Sequence, residues 1–171
     1  MDRSSYEAEF SELVAAKGPA LRRTAYLMCG DWHLAEDLVQ GVFVKIHLNW
    51  RRIRREDSFD AYIRKILFHA YLDTRRAKWR RETPAEYLPD AEAPGTARSD
   101  DRAVLVAALR RLPPRQRAVL VLRYWEDLSV EETAGLLGCA AGTVKSQASK
   151  GLAALRPLLA GTVFESATAE R

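Results

Sequence analysis

Apolar side chains recur along this chain at intervals of three and four residues, the spacing that turns one side of a helix inward. Over residues 5–28, Phe10, Leu13 and Val14, then Leu21, Ala25 and Met28, predict one long helix or a pair broken near Gly18 and Pro19. Gly30 and Asp31 close that stretch, and Asp31 is suited to cap the next helix. Over 34–50, Leu34, Leu38, Val42 and Ile46 form a face that Val39, Phe43 and Trp50 widen. A third periodic stretch starts after a capping residue, Asp57 or Ser58. It carries Phe59, Tyr62, Ile63, Ile66, Leu67, Ala70 and Tyr71 and runs into the basic sequence 75–81. The period lapses over 82–101, where Pro, Gly, Ala, Ser and acids mix as in a linker. It resumes with a helix at 102–111, a break at Leu112, Pro113 and Pro114, and a helix at 115–125. That helix carries Ala118, Val119, Leu122 and Trp125 inward, and Pro114 suits its first turn.

Residues 129–155 hold the fullest set of local signals. Ser129 followed by Glu132 is a capping box: the serine oxygen accepts an orphan amide while the glutamate reaches back to the cap. Val130, Ala134 and Leu137 make one apolar face, and Gly138 supplies the conformation that a sharp stop requires. Past the turn, Val144, Ala148, Leu152 and Leu155 face inward on a second helix. Its other side shows Lys145, Ser146, Gln147, Ser149 and Lys150. Short polar groups with flanking cations are what a helix needs to enter a DNA major groove. An ordinary helical hairpin with a wet outer face has the same pattern. Arg156 and Pro157 end regular structure soon afterwards, and 161–171 is a small polar tail. The fold class expected is all-α: two small helical domains, 1–81 and 102–160, joined by an acidic flexible linker, the second containing a helix-turn-helix.

Composition narrows this reading. A chain of 171 residues that is 47% hydrophobic, with only 9 Gly and 7 Pro, is a globular protein of one domain or two small ones. The net charge of +4 says less than its distribution. Residues 51–81 hold eleven Lys/Arg against four acids, whereas 82–101 hold six acids against Arg98 alone. A dense basic segment with interleaved aromatics suits nucleic acid: cations hold the backbone and rings stack on unpaired bases. Tyr62 and Tyr71 fall on the core side of that segment, leaving Trp79 as the exposed ring. The basic connector 51–55 reads equally as an exposed loop or a phosphate-touching one. Glu36, Asp37 and Gln40 lie outside the apolar stripe near a helix start, where acids favour the dipole or form a patch for a basic partner.

Cys29 and Cys139 form no CxxC, and His33, His47 and His69 have no metal-ligand spacing. Both cysteines read as small hydrophobes in a reducing cytoplasm. No metal or other cofactor is expected. The polar start, MDRSSYEAEF, offers no secretory segment, and no apolar run approaches membrane-spanning length. No nucleophile elbow, P-loop or Gly-rich dinucleotide turn argues for an enzyme.

From about residue 10 to 159 the chain resembles the bacterial extracytoplasmic-function (ECF) sigma factors, the promoter-recognition subunits of RNA polymerase. The residues that carry this are Asp31 and the run Ala35-Glu36-Asp37-Leu38-Val39-Gln40 through Lys45, similar to sigma region 2. Leu112-Pro113-Pro114-Arg115-Gln116-Arg117, Leu128-Ser129-Val130-Glu131-Glu132-Thr133-Ala134 and Gly142-Thr143-Val144-Lys145-Ser146 are similar to region 4. The run 75–82 suggests the SigE-like group. The resemblance implies roles for particular residues. Glu36, Asp37 and Gln40 would face the clamp helices of the polymerase β′ subunit. Arg64, Lys65, His69, Arg75, Arg76, Lys78, Trp79 and Arg80 would meet the −10 element and its melted strand. Lys145, Ser146, Ser149 and Lys150 would read the −35 element, and the linker would run toward the RNA exit channel. The partners implied are core RNA polymerase and promoter DNA, and an anti-sigma factor, common in the family, would shelter the basic and apolar surfaces.

Three positions depart from the family pattern. His69 stands where asparagine is common, Ala140 where serine caps the recognition helix, and Gln147 where arginine is common. The alternative reading, a helix-turn-helix regulator outside the polymerase, explains 112–155 equally well. It leaves the acidic helix and basic segment of the first domain without a purpose.

Overall fold

Asp31 shows why the first two helices part where they do. Its carboxylate accepts the Leu34 amide at 3.0 Å, and Gly30, at φ +67, makes the reversal just before it. On either side run α1 (Arg3–Cys29) and α2 (Trp32–Ile53). The computed structural model describes the backbone of residues 3–53, 59–81 and 99–160, with side chains for 5–50, 52–53, 59–77 and 101–160. Within these, α3 (Phe59–Arg81) completes the first half. The second half is α4 (Ser99–Arg110), α5 (Pro114–Leu120), a π-helical turn (Val121–Trp125), α6 (Val130–Leu137) and α7 (Ala141–Leu159). Strands are absent among the described residues.

Of the two arrangements open for this stretch, the single long helix is the one that forms, with Pro19 inside one continuous α1. Proline deletes a ladder bond and crowds the preceding turn, but packing on both sides of it holds the axis. Before it, Phe10 meets Phe43, His47 and Trp50 edge-on, with centroids 5.1 to 6.4 Å apart. After it, Leu21, Ala25 and Met28 are buried. Pro157 is likewise carried within α7, which runs to Leu159 instead of ending soon after Leu155. Helix α2 extends to Ile53, so the start of the basic connector is helical. Residues 54–58, with the proposed caps Asp57 and Ser58, lie outside the described residues, as do linker residues 82–98 and the tail 161–171.

The first half buries Ala35, Leu38, Val42 and Ile46 from α2 against Ile63, Leu67, Phe68 and Tyr71 from α3. In the second half α7 crosses α5 closely at Gly151, where a Cβ would stand 2.9 Å from Leu120 Cδ1. Glycine is needed there for the approach. Buried side chains of the two halves form one continuous apolar cluster, so they pack on each other rather than standing apart.

Arg117 fastens that junction. It is 1% exposed and donates to the carbonyls of Met28 in the first half and, at 2.7 and 3.1 Å, of Arg110 and Leu112 in its own. Burial pushes its guanidinium below the usual arginine range, with Tyr71 opposing the shift. Arg110 donates to the Gly30 carbonyl at 2.9 Å, and a Cβ at Gly30 would overlap its side chain. Arg102 lies 5.5 and 5.4 Å from the ring centres of Tyr26 and Trp32, which stack on each other.

Candidate nucleic-acid interface

The helix-turn-helix forms as its local signals predict. The Ser129 hydroxyl accepts the Glu132 amide at 3.1 Å, and the Glu132 carboxylate accepts the Ser129 amide at 2.7 Å. The Ser129 amide first, and the Ser129 hydroxyl beside the carboxylate second, hold Glu132 below the usual carboxylate range. Gly138 closes α6 at φ 64, returning its amide to Ala134. Ala140, the residue that precedes α7, provides no side-chain cap. The face turned inward is Val144, Ala148, Gly151 and Leu155, with Leu152 only partly covered.

Opposite that face Lys145, Ser146, Ser149 and Lys150 are all exposed. Gly142 and Thr143, exposed on the first turn, extend this surface toward the helix start; the sequence reading passed over them as a binding surface. Gln147 is half-buried and borders a small hollow with Leu72 and Arg115.

Among the described residues, the cations of α3 share one side of their helix but not one environment. At about 100° per residue, Arg64 and Arg75 form one row and Lys65, His69 and Arg76 the next. Lys65 and Arg76 are exposed, Arg76 standing 4.0 Å from Asp73. Arg64 is instead held by the second half, its Nε donating to Glu126 Oε2 at 2.7 Å. The imidazole Nε2 of His69 lies 3.0 Å from the Leu136 carbonyl on α6. Between α3 and α6 a cleft of 370 Å³ is lined by Tyr62, Arg64 and Lys65 on one side and Leu128, Glu132 and Leu136 on the other. Tyr62, expected in the core, therefore borders this cleft half-buried, whereas Tyr71 is fully buried. The side chains of Lys78, Trp79 and Arg80 lie outside the described residues, although α3 continues past them.

Trp125, also expected in the core, is 51% exposed. The reason is the π-helical turn: the Glu126 amide reaches back five residues to Val121 O at 3.0 Å, and this wider turn shifts the phase of the side chains after it. Trp125 Nε1 donates to Thr24 Oγ1 at 3.2 Å, and that hydroxyl donates to Glu126 Oε1 at 2.6 Å.

On α2, Glu36, Asp37 and Gln40 are exposed, with Glu36 3.8 Å from Arg22. The same arc carries Val44 and Leu48, 58% and 75% exposed. Their apolar contribution was readable, since both fall off the stripe of Leu38, Val42 and Ile46. Cys29 is buried, which pushes its thiol up to about 11, so it is no thiolate near neutrality. Cys139 is half-buried. Among the described residues no group of His, Cys, Asp and Glu could hold a metal, and no helix is long and apolar enough to cross a membrane.

The geometry defines a class first: an all-helical protein in two parts, one presenting a capped helix-turn-helix and the other a basic helix. Residues 13–81 match the family profile of sigma-70 region 2, and residues 102–155 that of sigma-70 region 4. The chain is 40% identical over 164 residues to the RNA polymerase sigma-E factor of Streptomyces avermitilis, covering 95% of this chain and 92% of that protein. It is 32% identical to the ECF RNA polymerase sigma factor SigM of Mycobacterium tuberculosis H37Rv, covering 88% of this chain and 76% of the other. A solved structure of the sigma factor RpoE with the anti-sigma factor NepR, from Bartonella quintana, superposes with a TM-score of 0.67 at 25% identity. That alignment covers 88% of this chain and 96% of the other. The chain belongs to the ECF sigma factors.

Proposed function

We infer that this protein is an alternative sigma factor that binds core RNA polymerase, recognises the −35 and −10 promoter elements and initiates transcription. The observation that carries this is the order of two sigma segments on one chain, with a capped helix-turn-helix whose polar face is open. Residues 1–81 would bind polymerase and the −10 element, 82–101 link, 102–160 read the −35 element, and 161–171 form a tail. Glu36, Asp37 and Gln40 are assigned to the β′ clamp helices, a role their shared exposure supports. Lys65, Arg75 and Arg76, with Arg64, His69, Lys78, Trp79 and Arg80, are assigned to the −10 strand. Lys145, Ser146, Ser149 and Lys150 are assigned to the −35 major groove. The protein would work in the cytoplasm, supply no catalytic group of its own, and accept an anti-sigma factor on the same surfaces. A helix-turn-helix regulator outside the polymerase leaves the sigma region 2 match unexplained.

Run-off transcription with bacterial core polymerase on a pool of genomic promoter fragments tests this. Discrete transcripts that require the protein are expected. Replacing Asp37 and Gln40 by alanine together should weaken retention on core polymerase at least about tenfold while duplex binding stays unchanged, as loss of central interface contacts does. Retention on duplex DNA alone, with no transcripts and no polymerase binding, would favour the regulator.

A further inference from the structure

We propose that Glu126 is an internal stand-in for a nucleic-acid phosphate, which occupies Arg64 and keeps the free protein closed until DNA replaces it. The proposal rests on the assignment of Arg64 to the −10 strand.

The geometry is specific. Glu126 lies on the second half, yet both its oxygens are engaged by the first. Oε2 takes the Arg64 Nε–H at 2.7 Å, and Oε1 takes the Thr24 hydroxyl at 2.6 Å. A carboxylate and a phosphate offer a guanidinium the same paired acceptor oxygens, so the two compete for one donor. The Glu126 side chain is 16% exposed and that of Arg64 30%, so the pair is partly withdrawn from water and from screening salt. The backbone that aims the carboxylate is irregular. It leaves a π-helical turn and enters Asp127 at φ 54, a conformation uncommon for a residue other than glycine. The Leu128 amide then bonds Leu122 O at 3.0 Å, and Arg123 donates to Leu128 O, fixing the turn from both sides. Strain of this kind persists where surrounding structure holds it, often where a side chain must be aimed.

The same closure covers His69 with the Leu136 carbonyl and leaves Lys65 and Arg76 open. The closed protein thus presents the α7 face to duplex DNA while withholding two of the α3 groups. A single strand that reaches Lys65 first can displace Glu126 from Arg64, and closure and strand binding then exclude each other.

The test uses the full chain and a fluorescein-labelled single-stranded oligonucleotide of mixed sequence, with small-angle X-ray scattering to report opening. Glu126→Gln and Glu126→Ala should raise single-strand affinity by about three- to tenfold, because the fraction of competent molecules rises, and should enlarge the radius of gyration. Asp127→Asn removes the same charge one residue along and tolerates the positive φ; it should change the affinity by less than about twofold, as an unpaired surface charge does. Arg64→Ala should abolish the gain in the double variant. Equal effects of Glu126→Gln and Asp127→Asn, or no gain and no opening with either Glu126 variant, overturn the proposal. Run-off transcription by polymerase carrying Arg64→Ala separates the two readings. Lost transcripts with no gain from Glu126→Ala leave the assignment of Arg64 standing and remove the internal phosphate stand-in. Intact transcripts remove both.

Discussion

The polar face of α7 and the basic face of α3 both carry cations and differ in how far they are open. Lys145, Ser146, Ser149 and Lys150 stand free on a helix whose inner side is packed. On α3, Arg64 and His69 are taken up by Glu126 and the Leu136 carbonyl while Lys65 stays in solvent. If α7 takes duplex DNA and α3 a melted strand, as proposed above, the difference follows from what each target requires. Duplex DNA is available without melting, so its reading helix can be preformed and open. A melted strand exists only within an assembled complex, and a cationic face left open in the free protein would bind polyanions without regard to sequence.

Loosening the junction should produce the largest change. Arg117→Met keeps much of the volume but leaves the Met28, Arg110 and Leu112 carbonyls without their buried donor. We expect a loss of about 3 kcal/mol, in the range for breaking a buried hydrogen-bonded charge. Urea unfolding followed by circular dichroism measures it; a loss below about 1 kcal/mol would mean that the two halves barely support each other.

A smaller effect should mark the open face. Replacing Lys145 and Lys150 by alanine should lower duplex affinity and reduce the slope of log affinity against log salt by about one unit per lysine. Single-strand binding should stay unchanged. An unaltered slope would place the phosphate contacts elsewhere on the second half.

The smallest effects concern the ends of α6 and α7. Ser129→Ala should cost about 1 kcal/mol at neutral pH, and Ala140→Ser should gain up to about the same by supplying the missing cap. The contribution of Glu132 depends on pH with a defined sign. Its folded pKa is depressed by bonds from Ser129, so its stabilisation is full above the ordinary carboxylate range and is lost as pH falls through the depressed value. Thermal midpoints of the wild type and Glu132→Ala should therefore converge in acid and separate toward neutrality. A constant gap across that range would leave the capping box without an ionic component.

What could be read in the sequence was local. Ser129, Glu132 and Gly138 act on amides within a few residues, so their effect on α6 is written beside them. The periodic stripes of α2 and α7 are legible for the same reason. Pro19 left one helix or two open, because its local cost is real and is offset by Phe10, Leu21 and Met28 packing against distant partners. Trp125 misled because the π-helical turn changes the period itself. The contacts of Glu126 with Thr24 and Arg64 span 102 and 62 residues, and no local pattern announces them. Nor does any spacing reveal that His69 meets a main-chain carbonyl 67 residues away.

Arg110 and Arg117 take hold of the first half through the carbonyls of Gly30 and Met28, not through side chains. Every amino acid supplies a carbonyl, so these hydrogen bonds do not depend on which apolar side chain stands at position 28, although Gly30 is needed to make room for Arg110. Chimeras can exploit this. A second half carrying both arginines keeps these two main-chain links on a foreign first half that has a glycine at that corner, and only the side-chain contacts of the seam, such as Glu126 with Arg64 and Thr24, then need matching.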